Sequence, residues 1–296
     1  AEGFGTGGLS AMITYGVQIL SSLMMLSMVF VMITMSAESA RRIAEVLEQK
    51  SDLVSPENGV KEVKDGSVRF DNVSFKYSKT AEKYALADIN LDIKSGETIG
   101  ILGGTGSSKT SLIQLIPRLY DTTEGTVYVG GRDVKEYDLD SLRSEVAVVL
   151  QKNVLFSGTI KENLRWGNPD ATDEECIEAA KRIYADRVAA RYPDGFYAKT
   201  EEGGEGLSAG EKQLISFARM VLKDPSVVIL DEATSSVDSE TEELIREALE
   251  ILLKDKTAFI VAHRLSTIRK ADRILYIADK GIAESGNHEQ LLAKKG

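Results

Sequence analysis

One short stretch, residues 98–110, constrains the fold of this chain more than any other. It begins with the apolar residues 99–102, which are typical of a buried strand in a parallel sheet. A run of small residues follows, and a helical pattern begins at Lys109. A strand, a glycine-rich loop and a helix N-terminus together form an anion cradle, because backbone N–H groups point into the loop and the helix dipole favours negative charge. The stretch therefore predicts a phosphate-binding loop.

The residues of this loop fit the pattern G-x-x-x-x-G-K-[ST] with one departure, because Ser108 stands where the pattern has its second glycine. In such a loop Lys109 would reach the terminal phosphates of a nucleotide, and the Thr110 hydroxyl would bind Mg²⁺. An ordinary strand-to-helix turn is the alternative. If position 108 needs a positive φ, a serine costs roughly 1–2 kcal/mol there. We therefore expect weaker or slower nucleotide use rather than its loss.

A second feature, residues 9–35, is long enough to cross a bilayer, which needs about 20 apolar residues. No charged residue occurs between Gly3 and Ala37, and six of the seven methionines lie there. The segment is apolar on all sides, which argues against a surface helix. A buried core helix is the alternative, whereas a signal peptide would be shorter and would have a basic start. Arg41 and Arg42 follow directly, so we expect the C-terminal side to be cytoplasmic.

The sequence after this segment predicts further organisation. Residues 37–50 can continue as a helix, and residues 51–65 have the composition of a linker. We expect residues 1–37 to be the last transmembrane helix of a truncated membrane domain, and residues 38–66 a connecting helix and linker. One transmembrane helix cannot enclose a path through a membrane, and the chain does not begin with methionine. We therefore expect a fragment whose earlier membrane helices are missing.

Charge and cysteine content exclude some classes of protein. The net charge is −10, with 36 basic and 46 acidic residues, so nucleic acid is not expected as the main partner. The single cysteine, Cys176, allows no internal disulfide and indicates a reducing compartment. With only two histidines, His263 and His288, a histidine-rich metal site is excluded.

Strand and helix patterns alternate through the rest of the chain, which predicts an α/β fold with a largely parallel sheet. Residues 68–77 alternate like an antiparallel strand. A capping-box pattern at Thr172 opens a helix toward Arg191. A second one, Ser208 with Glu211, opens a helix that stops before Pro225.

Polar residues follow three short apolar runs of the predicted sheet. Gln151 follows residues 146–150, the pair Asp231 and Glu232 follows residues 227–230, and His263 follows residues 257–262. Ligands of open α/β sheets bind at the carboxyl ends of the strands. Each residue alone is a weak indication, because an acid pair can cap the next helix and a single histidine can be part of the core.

Together and in this order, these residues resemble the nucleotide-binding domain of ATP-binding cassette (ABC) transporters. Residues 207–211, Leu-Ser-Ala-Gly-Glu, resemble the signature motif of that family, and the sequences at 150–158 and 230–238 favour an exporter. The apolar segment resembles the last transmembrane helix of an exporter. The resemblance implies a P-loop NTPase fold over residues 67–296, with an antiparallel β subdomain and a helical subdomain at about residues 153–215.

The resemblance also implies ATP and Mg²⁺ as cofactors and a role for each matching residue. Tyr77 would stack on adenine, with strand packing as its alternative role. The phosphates would be held by Gly103, Gly104, Thr105, Gly106, Ser107, Ser108, Lys109, Thr110 and Ser111. Thr110, Gln151 and Asp231 would bind Mg²⁺, and Gln151 would also touch the attacking water. Glu232 would act as general base, and His263 would contact the γ-phosphate.

In this family Ser208 and Gly210 would face a nucleotide bound to a second subunit, so that ATP closes a head-to-tail dimer and hydrolysis releases it. Ala209 and Glu211 replace the usual glycine and glutamine of the signature. Because Glu232 and His263 look intact, this asymmetry favours a heterodimer with one strong and one weak site. The resemblance implies an ATP-driven exporter subunit in the cell membrane, with its nucleotide-binding domain in the cytoplasm.

Two other functions stay open at this point. One is a soluble-type ABC ATPase that acts on DNA or ribosomes, which the apolar segment and the acidic charge disfavour. The other is an ATP-binding subunit that hydrolyses poorly or has a structural role, which Ser108 and Ala209 favour. Replacing Ser108 by glycine is expected to tighten ATP binding or to speed turnover.

Overall fold

The computed structural model describes residues 5–78, 80–150, 153–231, 239–262 and 265–293. The chain divides into two compact units, residues 1–52 and 53–296. Residues 53–66 belong to the second unit, where the Leu139 backbone N–H donates to the Ser55 hydroxyl and Val60 forms a bridge with Tyr137. The domain boundary at residue 67 stays a prediction.

In the described residues of the first unit, 5–52, there is one helix, α1 (Thr6–Leu47), which passes through the apolar segment and continues beyond it. Its most apolar 18-residue window has a mean hydropathy of 2.1, and the window is 0% buried. Hydroxyl groups within it bond to the helix itself, as where Thr14 donates to the Ser10 carbonyl at 2.9 Å and Ser27 to the Leu23 carbonyl at 3.0 Å. A lipid environment requires this internal satisfaction of polar groups. By length and composition α1 can therefore cross a membrane.

The second unit alternates strands and helices, as the sequence predicts. Its strands are β1 (Val68–Phe75), β2 (Leu86–Ile93), β3 (Thr98–Gly103), β4 (Glu124–Val129), β5 (Arg132–Asp133), β6 (Val146–Val149), β7 (Gly158–Thr159), β8 (Lys199–Thr200), β9 (Val227–Asp231), β10 (Thr257–Val261), β11 (Arg273–Ala278) and β12 (Gly281–Gly286). Its helices are α2 (Lys109–Leu115), α3 (Leu139–Glu145), α4 (Ile160–Arg165), α5 (Asp173–Arg182), α6 (Asp186–Ala189), α7 (Ala209–Lys223), α8 (Ser239–Leu252), α9 (Leu265–Ile268) and α10 (His288–Ala293).

The central sheet has the strand order β12-β11-β3-β10-β9-β6. All pairs in it are parallel except the edge pair of β11 and β12. A separate antiparallel sheet has the order β2-β1-β4-β5, and β7 pairs with β8. Helices α4 and α5 pack against α7 and form the helical part of the unit. The predicted α/β fold with an antiparallel subdomain and a helical subdomain is thus confirmed.

Two hydrophobic clusters fill the interior of this unit. One contains residues of the antiparallel sheet, α2 and the central strands, among them Phe70, Leu112 and Phe259. The other contains residues of α4, α5, α7 and α8 together with Val228 and Leu230 of β9. Both clusters contain residues of β9 and β10, whose side chains are almost wholly buried. Because both faces of these strands are buried, their sequences are unbroken apolar runs.

The single helix predicted from Thr172 toward Arg191 is wrong, because the chain turns after Arg182. Tyr184 has a φ of +63°. Its N–H donates to the Lys181 carbonyl at 3.3 Å, and the N–H of Ala185 donates to the Ala180 carbonyl at 2.8 Å. These two bonds form a Schellman motif, which ends a helix on a left-handed residue. The chain then begins α6 in a new direction.

Candidate functional site

The loop between β3 and α2 lies at the carboxyl edge of the central sheet, between β11 and β10. The Gly103 backbone lies so close to its neighbours that a Cβ there would be 2.4 Å from the Ile277 carbonyl oxygen. Gly106 has a φ of +78°. Only glycine meets both conditions without strain. The glycines of the predicted phosphate loop therefore have specific structural roles.

Ser108 is the N-cap residue of α2 and has a φ of +71° and a ψ of 21°. This is the left-handed region, so position 108 has the positive φ on which the predicted energetic cost of a serine depends. Its hydroxyl makes no capping hydrogen bond within the described part of the chain. The first helical hydrogen bond runs from the Leu112 N–H to the Ser108 carbonyl at 3.1 Å. The backbone N–H groups at the start of α2 are therefore not capped by the Ser108 side chain.

Lys109 is the first residue of α2, and its side chain is buried within the loop. Its Nζ donates to the carbonyl oxygens of Gly103 and Gly104, at 2.9 Å each, and lies 3.5 Å from the Ser107 hydroxyl. These contacts hold the Lys109 ammonium group against the backbone of the glycine-rich loop. The next residue, Thr110, is exposed at the same helix end. A cation and a hydroxyl at a helix N-terminus suit a phosphate with its metal ion.

Tyr77 lies beside this loop, just beyond the end of β1. Its hydroxyl is 2.7 Å from the Ser111 hydroxyl. Its ring makes edge contacts with Phe75, at a centroid distance of 4.8 Å, and with Tyr120, at 5.2 Å. The residue is nevertheless 54% exposed. The geometry thus combines packing with an aromatic surface that a planar ligand could reach.

The strands that precede the other predicted site residues end at the same sheet edge. Val261 of β10 is in register with Asp231 of β9, and Val149 of β6 is in register with Leu230. Asp231 is partly buried. Gln151, Glu232 and His263 lie outside the described residues, so their positions stay predictions.

The N-terminus of α7 carries the signature-like motif, and its predicted capping box is present. The Ser208 hydroxyl accepts from the Glu211 N–H at 3.2 Å, and a Glu211 carboxylate oxygen accepts from the Ser208 N–H at 2.7 Å. Ser208 and Ala209 are exposed, whereas Gly210 and Glu211 are buried. The other carboxylate oxygen of Glu211 forms an ion pair with the Arg191 guanidinium. The motif thus presents a capped helix end to solvent, and the charge of Glu211 is paired.

A half-buried polar network that the sequence did not reveal connects α7 to the segment after β6. Arg219 of α7 donates to the Val154 carbonyl at 3.0 Å, and to the Asn163 carbonyl and side-chain oxygens at 2.7 Å each. Asn163 of α4 in turn accepts from the Phe156 N–H and donates to the Phe156 carbonyl, both at 2.9 Å. Burial lowers the pKa of Arg219 to about 10. Three of these hydrogen bonds thus tie residues 154–156 to α4 and α7, and the other two join the helices to each other.

Some of these missed features have a signal in the sequence and others have none. The pattern Thr159-x-x-Glu162 is a capping box, and the structure has both of its hydrogen bonds at the start of α4. It could have located α4 and therefore Asn163. The partners of Arg219 and Arg191 are distant in sequence, and no local pattern points to them.

The sequence of this chain is similar to those of known proteins. A family model described as ABC transporter matches residues 86–235, half of the chain, and the chain therefore belongs to the ABC transporter family. It is 44% identical over 272 residues to an uncharacterised ABC transporter ATP-binding protein of Bacillus subtilis, YknV, covering 92% of this chain and 45% of the relative. It is 47% identical over 235 residues to a putative multidrug export ATP-binding/permease protein of Staphylococcus aureus, covering 79% of this chain and 40% of that protein.

A solved structure also places the chain in the ABC transporter family. It is the structure of a bacterial Atm1-family ABC exporter with ATP bound, similar with a TM-score of 0.81 and 32% identity over 96% of this chain and 49% of the other. The ABC-type nucleotide-binding fold is thereby confirmed, and the chain contains the ATPase domain typical of its family. The chain spans less than half the length of each of these three relatives.

Proposed function

We propose that this chain is the ATP-binding and ATP-hydrolysing part of an ABC exporter half-transporter, and that ATP-driven association of two such domains drives export of a substrate across a membrane. The observation that carries the proposal is the pairing of two features in one chain. These are a phosphate loop that encloses Lys109, and an exposed, capped helix end with the signature sequence at Ser208. The names of the relatives support the export function.

The residues at the sheet edge fit Mg·ATP. Backbone N–H groups at the start of α2 and the Lys109 ammonium suit the negative charge of the phosphates. The hydroxyl of Thr110 and the carboxylate of Asp231, with the Gln151 amide, supply oxygen ligands of the kind that Mg²⁺ prefers. We assign adenine to the exposed ring of Tyr77. Bound Mg²⁺ would neutralise charge on the phosphates during transfer.

Hydrolysis in this proposal depends on positioning more than on covalent chemistry, as is general for phosphoryl transfer. The Glu232 carboxylate accepts a proton from the attacking water, while Gln151 orients that water. Lys109 and His263 donate to the γ-phosphate oxygens, where negative charge accumulates. These roles rest on the family resemblance and on the strands β6, β9 and β10, which end at one edge.

The second half of each site comes from another subunit. Ser208 and Gly210 at the N-terminus of α7 would contact the γ-phosphate of an ATP held by the partner's phosphate loop. The exposure of Ser208 and Ala209 supports this role, because a surface that awaits a partner has to be accessible. The partner is a second half-transporter, and Ser108 and Ala209 favour one with a different sequence. The paired charge of Glu211 weakens that preference, since the residue is not a free negative charge.

The membrane attachment has support from both units of the chain. Helix α1 is the membrane-spanning helix in this proposal, with the nucleotide-binding domain on the cytoplasmic side. Phe156 and Trp166 are exposed apolar residues whose rings stack with a centroid distance of 4.4 Å and form a small apolar surface, and Leu150 and Val154 are exposed apolar residues near them in the sequence. We propose that this surface docks onto membrane helices of the transporter.

A second candidate function is an ATP-binding subunit that hydrolyses poorly. The left-handed backbone of Ser108 favours it, because a strained phosphate loop lowers affinity or rate. ATP turnover of the chain in lipid nanodiscs, wild type against Glu232→Gln, distinguishes the two. Turnover that the substitution abolishes supports the hydrolysing subunit. ATP binding without turnover in either protein supports the second candidate.

A further inference from the structure

We propose that Arg191 is a positioning residue that neutralises the charge of Glu211. The N-terminus of the signature helix α7 then carries no net side-chain charge where it contacts the ATP of a partner subunit. The inference rests on the proposed function, in which the N-terminus of α7 faces that ATP. It explains how a glutamate can stand where the family has glutamine. It also gives a role to a residue outside every motif in the sequence.

The geometry divides the two oxygens of the Glu211 carboxylate between two tasks. One oxygen accepts from the Ser208 N–H at 2.7 Å and completes the capping box. The other forms the ion pair with Arg191. The Glu211 side chain is 9% exposed and the Arg191 side chain 66%. The carboxylate is therefore held in place beside the helix end, and its counter-charge comes from the surface.

A buried, unpaired carboxylate at this place would repel phosphate. Two negative groups that are brought together out of water repel each other strongly, and such like-charge contacts disfavour association. A glutamine at position 211 would make the same capping bond without a charge, because either residue type serves in a capping box. The pair of Arg191 and Glu211 has no net charge, so it reproduces the electrostatics of glutamine.

The fold brings Arg191 to this position through the turn at Tyr184. That turn redirects the chain into α6, and Arg191 follows directly after this helix. Arg187 lies within α6 but has another contact, since its guanidinium carbon is 5.4 Å from the centroid of the Tyr184 ring. Arg187 is therefore a matched control, an arginine four residues earlier in the sequence that does not pair with Glu211 in the described contacts.

The alternative is that the ion pair serves only to fasten α6 to α7. The double variant Arg191→Ala/Glu211→Gln separates the two explanations, because it has neither the ion pair nor the unpaired charge. If the role is electrostatic, removal of both groups restores function. If the role is mechanical, the double variant stays as impaired as Arg191→Ala.

The test uses the whole chain in lipid nanodiscs and measures ATP turnover over a range of ATP concentrations, with a fluorescent ATP analogue to report binding to the phosphate loop. For Arg191→Ala we expect the half-saturating ATP concentration for turnover to rise roughly tenfold, equivalent to about 1.4 kcal/mol. Binding of the analogue to separate subunits should stay unchanged. Arg191→Lys and the double variant should return to within about twofold of wild type, as should Arg187→Ala.

Turnover of Arg191→Ala equal to wild type would overturn the inference, and so would a double variant that is no better than Arg191→Ala. A thermal unfolding transition for each variant identifies any that fail to fold. In that case Glu211→Gln and Arg191→Lys, which both keep the capping box, carry the test, and impaired turnover in both would count against the electrostatic role. If wild-type turnover does not exceed that of Glu232→Gln, the proposed function fails, and this inference fails with it.

Discussion

Ser108→Gly changes the residue at which this phosphate loop departs from its pattern. The Ser108 backbone has a φ of +71°. A left-handed conformation destabilises a non-glycine residue by about 1–2 kcal/mol, whereas for glycine the energetic cost is close to zero. Glycine also adds freedom to the unfolded chain, which costs about 0.4–1 kcal/mol of stability. The substitution should therefore relieve local strain while it increases the entropy of the unfolded state.

The relief appears in one of two measurements. If the loop keeps its left-handed residue in every folded state, the relief raises the free energy of unfolding, by about 1 kcal/mol after the entropy term is subtracted. If the loop adopts this φ only when it holds phosphate, the relief appears as ATP affinity, and 1–2 kcal/mol corresponds to about 5–30-fold. We expect tighter ATP binding or faster turnover. Any part of the relieved strain energy that does not appear there should raise the free energy of unfolding.

The assay combines titration of a fluorescent ATP analogue, ATP turnover and chemical unfolding of the chain in nanodiscs. Thr105→Gly is the control, because Thr105 is an exposed residue of the same loop whose φ is not positive. It adds flexibility without relief of strain, so it should weaken binding slightly or leave it unchanged. If Ser108→Gly changes neither binding, nor turnover, nor stability, the loop tolerates serine and the strain argument is wrong.

Two further substitutions test the site and the network behind it. Tyr77→Ala should weaken ATP binding at least fivefold, since stacking of a base on an aromatic ring contributes about 1–3 kcal/mol. Tyr77→Phe keeps the ring and should bind within about threefold of wild type in the same titration; equal binding by Tyr77→Ala would assign the ring to packing alone. Arg219→Met should lower the free energy of unfolding by about 3 kcal/mol, because it leaves the oxygens of Asn163 and Val154 without their charged donor. Chemical unfolding measures this loss, and a change below about 0.5 kcal/mol would contradict the role of the network.

Much of the phosphate loop could be predicted from sequence because its determinants are local. The apolar run of β3, the glycines and Lys109 all lie within a dozen residues, and each has a short-range physical reason. The left-handed backbone of Ser108 follows from the pattern for the same reason. The parallel sheet also follows, since alternation of strands and helices leaves few other arrangements.

The features that could not be predicted depend on long-range contacts or on unusual local geometry. Tyr184 ends α5 in a left-handed conformation without the glycine that normally marks such a turn, so the sequence reads as one helix. The ion pair of Arg191 and Glu211 spans 20 residues. The contact of Arg219 with Asn163 spans 56. Such pairs form only once α4, α6 and α7 have packed together.

The central claim is that the phosphate loop of one subunit and the signature helix of another form one site. In dimers that this chain forms with itself, it is tested most directly by mixing two variants that are each expected to be inactive, Lys109→Ala and Ser208→Glu, before reconstitution. Each variant alone damages every site of its own dimer. Random pairing makes half of the dimers mixed, and each mixed dimer has one intact site, so the mixture should show about a quarter of wild-type ATP turnover. A mixture no more active than either variant alone, beside an active wild-type chain, would contradict the shared site.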